Sequence, residues 1–253
     1  MSKQFSAIFK KELAAFFNTS LAYIILVSYI LLSMFITFFL GGFFSINNAD
    51  LFSFFYFQSF VFVVLTPAFT MRLWAEERKS GTIEFLLTQP VSLTTIVLAK
   101  FFAAWALCLI MLSLTIPFWI YMNVYFQVDN LNILSGYLAC ILTTGAFCAL
   151  GCMMSSFNSS PVSSYMLTLI LNGLIAFGSF SWLIGKIGLS GQISSRIQSA
   201  LNFDKHYYDI MSGQISPDNL LYFILLILFG LWLNVISIES VSYTHLRAHE
   251  TEL

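Results

Sequence analysis

Uncharged, apolar stretches alternate with short polar ones along the chain. A helix needs about 20 apolar residues to cross the hydrocarbon core of a bilayer. The uncharged runs of at least that length are Leu21 to Phe44, Leu51 to Met71, Phe101 to Val128, Asn130 to Gly185 and Asn219 to Ile238. The fourth run has 56 residues and is interrupted by the polar segment Ser155 to Pro161, so it predicts two helices. The pattern therefore predicts an all-α, polytopic membrane protein with six transmembrane helices.

A shorter amphipathic segment precedes the first run. Its apolar residues fall on one helical face and are Phe5, Ile8, Phe9, Leu13, Phe16 and Phe17. Because Lys3, Lys10 and Lys11 point away from that face, the segment is typical of a helix that lies in the membrane interface. Glu12 projects within the apolar arc. An unpaired buried carboxylate is costly, so Glu12 either has a partner or simply reaches the headgroups.

Six charged residues crowd into the connection between the second and third runs. They are Arg72, Glu76, Glu77, Arg78, Lys79 and Glu84. We expect Arg72 to Lys79 to continue the second transmembrane helix and Gly81 to break it. Thr82 can cap a second short helix, in which Glu84 suits the helix dipole and which Pro90 ends.

That second short helix is predicted to be amphipathic. Ile83, Leu86 and Leu87 project together as an apolar ridge, which a solvated loop would not need. Ser92 can cap the following helix. Pro117 predicts a kink near the far end of that helix.

The composition excludes a soluble domain. Hydrophobic residues make up 58% of the chain and the mean hydropathy is +0.85, whereas soluble domains are about 45–50% apolar. With the N-terminus inside, seven basic residues flank the spans on the inner side, namely Lys3, Lys10, Lys11, Arg72, Arg78, Lys79 and Lys100. Lys186, Arg196 and Lys205 remain outside. Since positive charge favours the cytoplasmic side, the N-terminus is expected in the cytoplasm.

Residues 241–253 resemble the translation of a transposase adaptor used to build sequencing libraries, so we treat them as an adaptor-derived scar. Residues 1–240 are then expected to form a single transmembrane domain. The tail holds Arg247, Glu250 and Glu252. Without it, the 11 basic and 12 acidic residues fall to ten of each, and His206 is the one remaining histidine. The four cysteines lie within predicted spans. Cys148 and Cys152 are either a thiol pair or part of a small-residue packing face.

The charged connection closely resembles the cytoplasmic signature of type-2 ABC transporter permeases. The residues that carry this likeness are Glu77, Arg78, Gly81, Thr82, Glu84, Leu86, Leu87 and Pro90. The segment from Lys11 to Leu13, with Phe17, Ala22 and Tyr23, resembles the start of the gliding-motility and nitrous-oxide-reductase-maturation permeases. Tyr207, Gly213 to Ile215, Tyr222 and Phe223 resemble the segment before the last span of the family. The likeness covers nearly all of residues 1–240.

This resemblance implies a non-catalytic permease of the bacterial cytoplasmic membrane that pairs with a second permease, as a homodimer or heterodimer, and contacts membrane lipid but no nucleic acid. A cytoplasmic ABC ATPase, which holds the ATP and Mg, would dock on a coupling helix between spans two and three. The residues this assigns to ATPase coupling are Glu76, Glu77, Arg78, Gly81, Thr82, Ile83, Glu84, Leu86, Leu87 and Pro90. The chain itself has no phosphate-binding Gly-x-x-x-x-Gly-Lys-Ser/Thr sequence.

The outer segment Leu189 to Asp218 is too apolar for a free loop. We expect it to pack as short helices and to act as a lid over the translocation path. Phe203, Tyr207 and Tyr208 are expected at its contact with the spans, and Gly213 would permit the turn back to span six.

Two other functions stay open. A secondary transporter normally carries ionisable residues within its spans, and none lies in the middle of a predicted span here. Gln58, Asn172 and Asn234 are polar at membrane depth and either line a pathway or form interhelical hydrogen bonds. A membrane enzyme would need a carboxylate cluster, a metal-ligand set or an activated nucleophile. His206 with Asp204 and Asp209 does not have a recognised metal spacing, so no metal site is predicted.

Overall fold

The computed structural model describes residues 2–41, 51–126, 128–178, 196 and 199–251, without the side chains of Ser2, Glu84, Leu87 and residues 241–251. These residues are almost entirely helical. In chain order the helices are α1 (Ser2–Phe17), α2 (Ser20–Phe35), which continues as a π-helical turn (Ile36–Leu40), α3 (Phe52–Thr70), α4 (Arg72–Ser80), α5 (Thr82–Leu87), α6 (Leu93–Ser113), α7 (Ile116–Tyr125), α8 (Asn130–Phe157), α9 (Pro161–Phe177), α10 (Phe203–Met211) and α11 (Pro217–Thr251).

Among the described residues, five helical stretches are long and apolar enough to cross a membrane: Ser20–Leu40, Phe52–Ser80, Leu93–Tyr125, Asn130–Phe157 and Pro217–Ser240. The remaining predicted span corresponds to α9, which has 17 residues and lies at the short end of the range that spans a bilayer. The predicted all-α, polytopic fold is confirmed.

Helices begin at the proline and serine residues where the sequence predicts it. α8 ends at Phe157 and α9 begins at Pro161. The kink expected from Pro117 is a break before α7, whose first turn contains that proline. Ser92 is the N-cap of α6, although its hydroxyl bonds Thr95 Oγ1 at 2.6 Å rather than a backbone amide.

The third span begins earlier than the sequence predicts. We expected it to begin at Phe101, because Lys100 is the charged residue directly before that uncharged run. The structure starts α6 at Leu93, so Lys100 lies about 10 Å inside the helix at 1.5 Å per residue. A lysine counted as an inner flanking residue is therefore part of the span itself.

The core is built around α8, which packs against α3, α6, α9, α10 and α11. Small residues on α8 permit close approach: a β-carbon at Gly151 would overlap the Thr70 side chain of α3, and one at Gly136 would lie 2.6 Å from the Phe55 ring. The four cysteines are free and buried. The thiols in contact are those of Cys108 and Cys148, 3.5 Å apart, rather than Cys148 and Cys152.

α1 lies along α6 and is helical over the segment that the amphipathic pattern predicts. Its aromatic residues face inward, with Phe5 against Phe102 at 6.0 Å between ring centroids and Phe16 against Phe69 at 6.1 Å. Lys3, Lys10 and Lys11 are exposed.

Candidate functional site

The charged connection is carried by α4, which follows α3 after a break at Met71. The first amides of a helix lack partners within the helix itself. Here the backbone N–H groups of Trp74 and Ala75 both donate to Ser155 Oγ of α8, each at 3.1 Å, and that hydroxyl donates to Met71 O at 2.9 Å. One serine thus uses its donor and both acceptor positions to fasten the start of α4 to α8.

Lys100 provides the second attachment of α4. Its ammonium group donates to Leu73 O at 2.8 Å, to Glu77 Oε1 at 2.8 Å and to Glu12 Oε1 at 3.1 Å. It also lies 4.9 Å from the centre of the Trp74 ring. All three N–H donors of the lysine are used. We call Lys100, Glu12 and Glu77 the Lys100 cluster; it joins α1, α4 and α6.

Burial makes this cluster electrostatically strong. The side chain of Lys100 is 2% exposed, while those of Glu12 and Glu77 are 13% and 21% exposed. A charge removed from water is tolerated when it is paired and hydrogen-bonded, and Lys100 meets both conditions. Of the two alternatives for Glu12, the structure supports a buried partner, and that partner is Lys100.

The nearby pair on the outside of α4 differs. Arg72 Nε lies 3.2 Å from Glu76 Oε1, with side chains 37% and 53% exposed. Exposed pairs of this kind contribute at most about 1 kcal/mol. Arg78 is half-buried and Lys79 is exposed. Only Glu77 of this charged run turns inward to the Lys100 cluster among the described side chains.

Gly81 turns the chain between α4 and α5. Its φ of +72° is a left-handed conformation that favours glycine. Thr82 is the first residue of α5, and its hydroxyl bonds Ser80 Oγ at 2.8 Å. Thr82 therefore begins α5 and bonds back to the end of α4.

The described part of the apolar ridge expected on α5 packs against the core of the same chain. Because α5 folds back on α4 at Gly81, Ile83 is 3% exposed and Leu86 is half-buried against the core. Phe85 is instead 72% exposed. The side chains of Glu84 and Leu87 lie outside the described residues. Past α5, exposed Pro90 accepts a hydrogen bond through its carbonyl from Gln4 Nε2 of α1 at 3.2 Å.

On the opposite face, α10 brings together the aromatic residues expected there. Phe203 stacks on Phe147 of α8 at 5.6 Å, and the buried Tyr207 donates its hydroxyl to Phe55 O of α3. Burial raises the pKa of Tyr207 well above its usual range, which keeps the phenol a donor. Tyr208 is 46% exposed and meets Phe52 edge-on at 5.6 Å.

The turn after α10 depends on Gly213, whose φ is +84°. This is the position that the sequence assigns to the return toward span six. Most of the segment from Leu189 to Leu201 lies outside the described residues.

The three polar residues at membrane depth are all buried. Asn172 of α9 donates to Thr66 Oγ1 of α3 at 3.1 Å, which is an interhelical hydrogen bond. In the described part of the chain, the side-chain amide atoms of Gln58 and Asn234 have no hydrogen-bond partner. No group of three His, Cys, Asp or Glu side chains able to hold a metal occurs among the described residues.

Lys100 and Ser155 are the residues that sequence reasoning missed. A signal existed for Lys100, because a helix capped at Ser92 places it two turns inside that helix. None existed for Ser155, which reads as an ordinary polar residue near the end of a span.

A sequence model of the ABC-2 family transporter protein matches residues 6–188, well over half of the chain. The chain belongs to this family. The ABC-2 match spans α1 to α9, and so includes every residue of the Lys100 cluster and Ser155. The protein is therefore a multi-pass membrane permease of an ABC transporter. A comparison with curated proteins finds no match.

Proposed function

We propose that this ABC-2 permease exports a substrate from the cytoplasm and that α4 and α5 form the docking segment for a separate ABC ATPase. The observation that carries the proposal is Phe85 of α5, an aromatic residue that is 72% exposed. The preceding helix, α4, is held in place by Ser155 and Lys100. Aromatic anchors surrounded by polar residues are typical of protein–protein contacts. The side chain that we place at the ATPase contact is the exposed Phe85, rather than Ile83 of the predicted apolar ridge.

The remaining parts of the proposal follow from charge and from the family. The excess of basic residues beside α1, α4 and α5 supports a cytoplasmic location for this end and for the N-terminus. ATP and Mg bind to the ATPase partner, and a second permease completes the transporter in the bacterial inner membrane. The gliding-motility and nitrous-oxide-reductase-maturation likeness stays a prediction, as does the lid role of α10.

The test places a photo-reactive benzoylphenylalanine at Phe85 in the full chain. Tyr125, 67% exposed at the far end of the third span, is the matched control position. We expect Phe85 to cross-link to a protein that contains a phosphate-binding loop and hydrolyses ATP, and Tyr125 not to do so.

A substitution gives the quantitative version of this test. Phe85→Asp should reduce recovery of that ATPase at least about tenfold, since burying a carboxylate in an interface costs more than the 1.4 kcal/mol that a tenfold change represents. The melting temperature of the permease should not change, because Phe85 is exposed. Equal recovery of the ATPase with Phe85→Asp would remove α5 as the docking helix.

The Lys100 cluster is the one observation that favours a secondary transporter, because ionisable residues inside spans often carry protons. Its three saturated donors and its position near one end of α6 favour a structural role. In proteoliposomes that contain permease and ATPase, we expect transport to require ATP. A flux driven by a proton gradient without ATP would support the alternative.

A further inference from the structure

Lys100 joins segments that are distant in sequence. Glu12 lies 88 positions before it and Glu77 lies 23 positions before it. The only covalent route from α1 to α4 runs through spans one and two. The ammonium group of Lys100 therefore provides a direct polar connection between α1 and α4 that the chain path does not.

The start of α4 is a fixed point. Ser155 holds the amides of Trp74 and Ala75 against α8, and its own proton goes to Met71 O. These contacts restrain the first turn of α4. Glu77 lies about one turn beyond them, so a displacement of α4 would act on the bond between Glu77 and Lys100.

α1 makes two polar contacts near the docking segment, one just after α5 and one with Lys100 of α6. Near one end, Gln4 Nε2 donates to Pro90 O just after α5, and toward the other end Glu12 binds Lys100. Separation of α4 from α1 would leave the carboxylate of Glu12 or of Glu77 without its cation, which is unfavourable for a buried charge. The link therefore resists independent motion of the two helices.

We infer that Lys100 is a positioning residue that makes the interfacial helix α1 and the docking segment α4–α5 move as one unit when an ATPase acts on α5. This inference rests on the proposed function, because it needs an ATPase on the docking segment. Lys100 passes the displacement of Glu77 on to Glu12.

The experiment measures the distance between spin labels at Ala7→Cys on α1 and Ser80→Cys on α4, both at exposed positions. The full chain, with its four native cysteines replaced, is reconstituted with the ATPase recovered through Phe85. Pulsed EPR then compares the nucleotide-free complex with one trapped by ATP and vanadate. We expect one narrow distance distribution that is the same in both states.

Lys100→Met should broaden this distribution and make it change with nucleotide, while ATPase co-elution persists. A triple variant, Glu12→Gln with Glu77→Gln and Lys100→Met, removes the charges together and keeps the test valid if the single variant folds poorly. The control is Lys3→Met, which removes an exposed charge from α1 outside the cluster and should leave the distribution unchanged.

The outcomes separate the two proposals. If the ATPase co-elutes and the triple variant keeps the narrow, nucleotide-independent distance, the role of Lys100 is wrong and docking stands. If the distance between the two spin labels is broad and changes with nucleotide in the protein that keeps the Lys100 cluster, the inference is also overturned. If no ATPase binds α5 at all, both proposals fall.

Discussion

At the scale of single residues, the unusual feature is a lysine whose side chain is 2% exposed inside a membrane helix. Its charge is paired with two carboxylates that come from different helices, and its third donor is used on a backbone carbonyl. Such a group is stable only while all its partners are present. Removal of the ammonium group leaves both carboxylates without a cation, so the cluster behaves as a unit rather than as separate pairs.

Substitution of Lys100 alone should therefore cost more than removal of the whole cluster. We expect Lys100→Met to destabilise the protein by about 3–5 kcal/mol, because it leaves Glu12 and Glu77 buried without a cation. The triple variant with Glu12→Gln and Glu77→Gln should lose markedly less. A thiol-reactive dye that reports exposure of the four buried cysteines during heating measures this. A triple variant less stable than Lys100→Met would contradict the account.

Ser155 offers a closely matched comparison with its neighbour. Ser155→Ala removes the acceptor of two amides and should cost about 1–3 kcal/mol, the penalty for buried polar groups left unsatisfied. Ser156→Ala loses only a bond to Met153 O within the same helix at 2.7 Å, and its effect should be smaller. The same thermal assay compares them. Equal losses would mean that Ser155 does not hold α4.

Sequence reasoning reached part of this site. Glu12 within an apolar arc left two alternatives, a partner or contact with the headgroups, and the structure supports the partner. The partner could not be identified, because Lys100 stands directly before the uncharged run that begins at Phe101 and so resembles a residue that flanks a span. Recognition of the cluster requires the packing of α1 on α6, and that packing depends on the whole arrangement of the spans.

At the scale of elements, α8 is the helix against which the others are placed. Its glycines mark the closest approaches, above all Gly151 beneath Thr70 of α3. Helix association in membranes relies on such small residues, because lipid offers no hydrophobic driving force between helices.

Two glycines in adjacent helices therefore should respond differently to alanine. Gly151→Ala must displace α3 and should destabilise by about 1–3 kcal/mol, the usual cost of overpacking. Gly173→Ala meets its nearest atom, Phe177 Cδ2, at 4.0 Å, and should be neutral or slightly stabilising since alanine favours helices. Thermal unfolding of the two variants tests this contrast. A Gly151→Ala variant as stable as Gly173→Ala would show that α3 and α8 are not tightly packed.

The ends of elements were easier to predict than their faces. Pro161, Pro117 and Gly81 interrupt helices for local steric reasons, so the sequence alone locates the breaks. The face that α5 exposes is different, because periodicity gives a ridge but not the surface that the ridge meets. The turn at Gly81 decides that Ile83 is covered and Phe85 is not.

At the scale of the whole molecule, polar features separate to the two ends of the bundle. One end carries α1, the Lys100 cluster, α4 and α5; the other carries α10 with Tyr207 and Gly213. The predicted spans are sufficient to predict this division, since two of them precede α4 and α5 whereas five precede α10.

We expect the two ends to lie on opposite sides of the membrane. In a cysteine-free background, Ser80→Cys and Gln214→Cys are both exposed positions, and an impermeant maleimide added to intact cells should label only Gln214→Cys. Lysed cells provide the control, in which both should react. Labelling of both positions, or of Ser80→Cys alone, in intact cells would reverse or remove the proposed orientation.

The span of 88 positions between Glu12 and Lys100 also bears on synthesis. At about 5–20 residues per second, a ribosome needs roughly 4–18 s to make that stretch. During this interval Glu12 is already made but its cation is not. The N-terminal helix can therefore gain this ion pair only after Lys100 has been made, when more than half of the chain is still to follow.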